Sequence, residues 1–449
     1  MEQLTKKNRE IFIYCMTVLG GLFLFWIYRY AGTRMWGLDY PYNSFTFLPK
    51  DQYMDFFHIN SMSAGGSPYQ EGSSYPPLAL VFALLFSKLI PGSKELDPFV
   101  IRNTNPDSVL ILQIMYMVCL VFSLILFAIC FLKKHPVKEI IPKEKFIWNI
   151  VKSIVFPLLS LGASMFLAAP MIYSLDRGNY LILCFLFLFL FVFLYENHPN
   201  LSALALAVAS SLKMYPVVLF LVFFFDRKYR PFWTGILFGG GMTAFSFLFF
   251  NGSYLDKLKH FIWNILNFTG GRPMTHVYYF RDAIGIRSLL AAPFLLIKGY
   301  IPDWLNISVL GIIAGICLFI AVIFMCIWER RYERQILYLT LFVILFPTPS
   351  YYYNITYLIP SVFLLLLKKE KLEWYIPVLT GLLMIPKNYF YIAPFFFDVN
   401  VLVSVGNYID PLLMGLLLLI EFIRILRSDE KIKIKDRFRR KRLGQEVTG

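Results

Sequence analysis

The chain has 449 residues, of which 58% are hydrophobic, 18% aromatic and only 16% charged, with a formal net charge of +15. Together with a mean hydropathy of +0.61, this excludes an ordinary soluble domain. The basic residues gather between and beyond apolar runs, so the positive charge argues for membrane topology and against a nucleic-acid partner.

The apolar runs are continuous and lack the two-residue alternation of a barrel strand, so helices are expected. A hydrocarbon core about 30 Å thick takes roughly 20 apolar residues per crossing. Lys6, Lys7 and Arg9 precede a first span at 11–30, which has no small-residue cleavage site and reads as a retained signal anchor. The polar segment 31–74 then falls on the outer face. It carries Asp51, Asp55 and His58 and a Gly-Gly-Ser-Pro-Tyr turn at 65–69, and it leads into a Tyr-Pro-Pro motif at 75–77.

Asp55 has two readings. Its carboxylate can take a proton from a hydroxyl held against the bilayer, or it is an acid at a helix N-terminus or a solvated loop charge. Asp51 competes for the first role. The glycines at 65 and 66 suit a tight turn better than a phosphate nest, His58 reads as polar surface, and Pro76 and Pro77 suit a first helical turn. The run 75–90 is either re-entrant or a full crossing. A crossing would carry the basic segment 133–145 to the outer face, against the charge rule.

Spans follow at 108–132, 150–173 and 180–195, with Ser-Leu-Asp-Arg-Gly-Asn-Tyr at 174–180 turned outward. Asp176 and Arg177 read equally as a local ion pair capping two helices. The segment 200–225 holds Lys213 and Pro216 near its middle and is expected to form two half-helices meeting at an outward apex. Lys213 either snorkels to the interface or neutralises a lipid phosphate, as Arg177, Arg272, Arg281 or Arg287 would.

After a span at 231–250, an outer loop at 251–302 contains Arg272, His276, Tyr278, Tyr279, Arg281 and Asp282, and its 284–297 run is short enough to lie in the interface. Spans at 304–328, 335–350, 354–367, 373–390 and 401–426 complete the chain. Basic turns at 227–230, 330–334 and 368–371 are expected inside, and PTPSYYYN at 347–354 and the region 387–400 outside. The tyrosines at 351–353 read as an interfacial aromatic belt or as a surface on which a sugar stacks. The tail 427–449 is a basic cytoplasmic anchor, RNA binding being its alternative. Cys15, Cys119, Cys130, Cys184, Cys317 and Cys326 lie in apolar runs without ligand spacing, and no His, Asp or Glu spacing makes a metal site.

Asp55 followed by GGSPY and YPPLAL, then RGNYLIL at 177–183, SLKMYP at 211–216 and PTPSYYYN, resembles the GT-C superfamily of polyprenyl-phosphate-sugar-dependent glycosyltransferases, most closely glycosyltransferase family 87. The resemblance covers most of the chain in order. It departs at Arg177-Gly178-Asn179, where many relatives have Gly-Gln before the Asn, and in 251–302, where no family signature is recognised. It implies an all-α polytopic membrane enzyme with about 10–12 transmembrane or half-membrane helices, comprising a glycosyltransferase domain at 1–426 with a catalytic first outer loop.

By the same resemblance the donor is a monosaccharide, mannose or another hexose or pentose, on a polyprenyl phosphate. The acceptor is a glycolipid, glycan or other cell-envelope molecule, transfer inverts the anomeric centre, and Asp55 is the general base. Lys213, with Arg177, Arg272 or Arg281, would hold the leaving phosphate; Tyr75, Asn179, His276 and Tyr351 would touch substrate. No cofactor is expected beyond the lipid-linked donor, and a divalent metal is left open. The expected location is a bacterial plasma membrane, the composition also permitting an endoplasmic reticulum membrane, with both termini cytoplasmic and the site outside. A transporter or flippase of a lipid-linked saccharide is the alternative, although 200–225 has no second copy of the kind paired-repeat transporters carry. A non-enzymatic assembly partner is the third reading, and it leaves the clustered outer acid and bases unexplained.

Overall fold

The computed structural model describes residues 2–35, 37, 52–94, 96–134, 151–270, 283–298, 301–302, 304–347, 350–368, 370, 372–387, 391–392, 403–404 and 406–427. Among these, four helices are long and apolar enough to cross a membrane: Arg9–Arg34, Pro106–Lys133, Tyr229–Phe249 and Ile307–Trp328. They leave large apolar side chains such as Leu24, Phe122, Leu237 and Ile320 uncovered, as lipid-facing helices do. The pair Phe156–Phe166 and Ala169–Asp176 passes the same test together but is bent by 48°, the form of a broken span or a re-entrant loop. Pro170 opens the second half, where its missing amide costs little.

The runs at 180–195, 335–350, 354–367 and 373–390 form shorter helices than full spans require. Leu181–Leu194 and Tyr332–Leu345 have 14 residues each, and Leu358–Leu367 and Tyr375–Met384 have 10. Fourteen residues rise only about 21 Å, short of the hydrocarbon thickness. The reason is location: every side chain from 333 to 345 is buried. A helix walled by protein needs partners for its ends, not the thickness of the bilayer. Two two-residue strands, Tyr391–Ile392 and Val403–Ser404, form one antiparallel ladder, a local departure from the all-helical pattern.

The segment expected as a polar outer loop is partly helical. Met54–Ala64 is a helix that buries Met54, Phe56, Phe57 and Ile59. Pro77–Ser87 packs against it, and Pro98–Thr104 returns to pack on the same helix, with Arg102 Nη1 donating to the Gln52 carbonyl at 3.0 Å. Pro77–Ser87 has 11 residues, about 16 Å of rise. The helix in the run 75–90 is thus shorter than a full crossing, Met54–Ala64, Pro77–Ser87 and Pro98–Thr104 pack together at one end of the bundle, and Pro106–Lys134 carries the chain to the other. Lys133 lies over the Phe193 ring at that far end. Ile286–Lys298 packs against Ile307–Trp328 and Gly406–Arg427.

The far end is held by buried ion pairs. Arg334, its side chain 2% exposed, reaches Glu421 at 2.6 Å and also pairs with Glu373. Arg424 pairs with Glu329 and Glu421. Lys368 bridges Glu196 and Glu333. Tyr195 and Tyr332 stack 4.4 Å apart between Lys228, 4.0 Å from the first ring, and Lys368, 4.6 Å from the second. Charges buried at this end are costly unless paired, so these groups tie together the neighbouring ends of Leu181–Leu194, Ile307–Trp328, Tyr332–Leu345, Leu358–Leu367, Tyr375–Met384 and Gly406–Arg427.

Candidate active site

Two segments far apart in sequence are clasped together at the other end. The Tyr53 amide donates to the Asp176 carbonyl at 2.7 Å and the Asp55 amide to the Arg177 carbonyl at 3.0 Å. Tyr53 takes a left-handed conformation, φ 62°, to open the helix Met54–Ala64. Gly178, φ +71°, lies so close that a Cβ there would stand 2.7 Å from the Tyr53 carbonyl oxygen. Only glycine fits both that φ and that gap.

The clasp brings side chains to Asp55. Arg177 Nη2 lies 2.7 Å from Asp55 Oδ1, and Asn179 Nδ2 donates to Asp55 Oδ2 at 2.7 Å. Asn179 is fully buried, and its Oδ1 accepts the Leu181 amide at 2.9 Å, capping the first turn of Leu181–Leu194. Behind them, Tyr180 donates to Asn60 Oδ1 at 2.9 Å and stacks on Phe56. Asp55 itself keeps an opening, with 16% of its side chain exposed, and its first-turn position favours a negative charge. A carboxylate has about four lone-pair directions; one donor on each oxygen leaves room for a hydroxyl.

Lys213 completes the cluster. The helix Pro199–Leu212 stops just before it, and a 3-10 turn at Tyr215–Phe220 restarts the chain, so the expected interruption at Lys213 and Pro216 is present. Ser211 Oγ donates to the Gly239 carbonyl and receives Thr243 Oγ1, fixing the break against Tyr229–Ser246. The Lys213 residue is 8% exposed, and its Nζ sits 4.4 Å from the Tyr75 ring centroid and 5.9 Å from that of Tyr353. Tyr353 in turn stacks on Tyr173. Among the described residues no carboxylate comes within ion-pair distance of this ammonium, although the Asp55 charge acts on it and on Tyr75. Burial, with Asp55 next, pushes the Tyr75 hydroxyl well above the usual phenol range, so it stays a neutral donor.

Asp55, Arg177, Asn179, Tyr75 and Lys213 thus meet in one place. Tyr351 stands at its margin, bridged to Ala283 and 5.6 Å from Tyr353 ring to ring. Arg272, His276, Arg281 and Asp51 lie outside the described residues. Arg287 packs along Gly311, and the His58 ring meets the edge of Phe99. Sequence reasoning missed Tyr353 and Tyr173 as the second wall around Lys213; only the tyrosine density of the two outward turns hinted at it. Arg177, expected on the phosphate or in a local pair with Asp176, pairs with Asp55. Among the described residues no three His, Cys, Asp or Glu side chains form a metal-holding group.

The arrangement sets a carboxylate held by two donors near a buried lysine that faces aromatic rings and, among the described residues, no carboxylate at ion-pair distance. It can take a proton at one point and receive negative charge at another. The profile of glycosyltransferase family 87 matches residues 74–349, more than half of the chain. That stretch contains Arg177, Asn179 and Lys213, and Asp55 precedes it. Comparison with curated proteins and with solved structures gives no match.

Proposed function

Since the chain belongs to glycosyltransferase family 87 and is a membrane glycosyltransferase, we propose that it transfers a monosaccharide from a polyprenyl phosphate to a hydroxyl of a cell-envelope glycan or glycolipid, with inversion. The observation that carries this reading is Lys213: a buried ammonium faced by Tyr75 and Tyr353 and by no carboxylate at ion-pair distance among the described residues. Burying a cation without a counter-charge is costly, and a phosphate on a lipid carrier supplies one at the right depth.

In this reading the acceptor hydroxyl gives its proton to Asp55 as its oxygen bonds to the anomeric carbon. The bond from that carbon to the phosphate oxygen breaks, its electron pair stays on the phosphate, and Lys213 meets the growing charge. Attack and departure occur on opposite faces of the sugar, which a base and a phosphate ligand on separate elements favour. The sugar is mannose or another hexose or pentose, and the tyrosines at 75 and 351 offer it aromatic and hydroxyl contacts. The location is a bacterial plasma membrane with the site outside: Lys133, Lys228, Arg331 and Lys368 gather at the end remote from Asp55, and the charge rule favours that end as cytoplasmic.

The test uses purified protein in lipid vesicles, a panel of polyprenyl-phosphate sugars and nucleotide sugars, and envelope acceptors, with product read by mass spectrometry. Transfer from a lipid-phosphate donor that Asp55→Asn abolishes supports the reading. Equal use of nucleotide sugars, or full transfer by folded Asp55→Asn protein, overturns it.

A further inference from the structure

The helix Tyr254–Gly270 has three faces that the sequence reading of 251–302 as an outer loop does not separate. One face is inside the protein: Lys257 is buried, and Leu258, Phe261, Asn264 and Ile265 are partly so. A second is polar and open, with Asp256 and His260. The third is apolar and open. Leu255 is 66% exposed, Ile262 49% and Leu266 60%, at i, i+7 and i+11 spacings that place them on one strip, and Trp263, 63% exposed, stands at its seam with the polar face, seven residues from Asp256. A helix on the surface of a soluble protein would turn such a strip inward.

The chain leading into this helix fixes where the strip sits. The preceding span, Tyr229–Phe249, has 21 residues, about 31 Å of rise, which uses up the hydrocarbon thickness of about 30 Å. Its last turns leave Phe245, Leu248 and Phe249 uncovered. After 250–253 the next helix begins, its first turn held to the end of the span by Lys257 Nζ, which donates to the Phe247 and Phe250 carbonyls at 2.7 Å each. The strip therefore continues the lipid-facing surface of the span at the membrane boundary. Lys259, exposed within the strip, has the reach to place its ammonium among headgroup phosphates while its stem lies on apolar surface.

We propose that Tyr254–Gly270 is an interfacial helix whose partner is the bilayer surface, with Leu255, Ile262 and Leu266 in the acyl boundary, Trp263 at the headgroup level and Asp256 and His260 in water. Its protein face grips the turn that follows the Asp55 helix. Asn264 Nδ2 donates to the Tyr69 and Ser73 carbonyls at 2.8 and 2.9 Å, the Asn251 amide donates to the Gly66 carbonyl at 2.8 Å, and the Tyr69 ring packs on Phe247 and Phe261. The membrane surface thus sets the height of the 65–73 turn. The inference holds whichever sugar is transferred.

The experiment places a nitroxide label at Leu255→Cys, Ile262→Cys or Leu266→Cys, and at Asp256→Cys or His260→Cys as controls on the same helix. The full chain is used in lipid nanodiscs, with Cys130→Ala and Cys317→Ala removing the native cysteines that are not fully buried. Accessibility to oxygen, which concentrates in lipid, is compared with accessibility to a water-soluble nickel chelate. The expected result is an oxygen-to-nickel ratio several fold higher at 255, 262 and 266 than at 256 and 260. Equal ratios at all five positions place the strip in water and overturn the proposal. Shielding of the strip from both reagents means that a protein covers it, and overturns the proposal as well.

Discussion

Asn179 joins Asp55 to a helix it does not belong to: its Nδ2 donates to Asp55 Oδ2 at 2.7 Å while its Oδ1 caps Leu181–Leu194 through the Leu181 amide. With both ends of the amide used and no exposure, its orientation is fixed, and so is the carboxylate it holds. Hydrogen bonds to a charged group contribute about 1.5–3 kcal/mol. Asn179→Ala is therefore expected to lower kcat about 10- to 100-fold, with donor KM little changed, in steady-state assays of the vesicle-bound enzyme. A rise in donor KM at constant kcat would instead place Asn179 on the substrate.

Arg177 meets the same carboxylate through Oδ1. Arg177→Gln is expected to reduce kcat, and Arg177→Lys to restore part of it, because a lysine returns the charge but not the planar fork. Donor affinity, measured by direct binding of a polyprenyl phosphate, should hold in both. Loss of that affinity would return Arg177 to the phosphate.

For Lys213 the split runs the other way. Lys213→Ala removes the cation beneath Tyr75 and Tyr353, and binding of polyprenyl phosphate should weaken by about 10- to 100-fold, the worth of a charge-assisted contact of 1.5–3 kcal/mol. Binding unchanged from the parent protein would remove Lys213 from the donor site.

Gly178→Ala tests the clasp. The new methyl would meet the Tyr53 backbone at 2.7 Å in a φ of +71°, so a loss of stability of about 1–3 kcal/mol is expected, together with loss of activity. Gly240→Ala is the control, since nothing lies within 4 Å of a Cβ there and alanine favours the helix. Thermal unfolding in detergent should show a lowered midpoint for the first variant and an unchanged or raised one for the second.

At the far end, Arg334→Met leaves Glu421, fully buried, with one cation fewer. Removing one partner of a buried pair costs about 3–5 kcal/mol, and the thermal midpoint should fall sharply. Arg334→Met with Glu421→Gln should recover much of it. A double variant no more stable than Arg334→Met would mean that the Glu421 charge left behind is not what lowers the midpoint, Arg424 having compensated it.

Much of this was legible in the chain. The apolar runs marked the bundle, and Lys213 with Pro216 marked the broken helix, because a charge and a missing amide inside such a run leave few alternatives. Asp55 stood out beside its Gly-Ser-Pro-Tyr turn, yet its segment was read as a loop: the apolar pattern of Phe56, Phe57 and Ile59 is too short to separate a helix from a polar excursion. The run 75–90 stayed open for the same reason, since 16 residues suit either a short crossing or a half-helix until their neighbours are known.

Membrane residence, and which side chains are out of place as polar groups there, follow from the residues alone, because transfer free energy is a property of each residue and adds along the chain. Only the tertiary structure decided what those side chains face. Arg177 is 122 residues from Asp55, and nothing local distinguishes its bond to that carboxylate from a bond to a lipid phosphate. The choice was made by two backbone hydrogen bonds and a glycine that let the Asp176–Gly178 turn close on Tyr53, and contacts of that range exist only once the helices have packed.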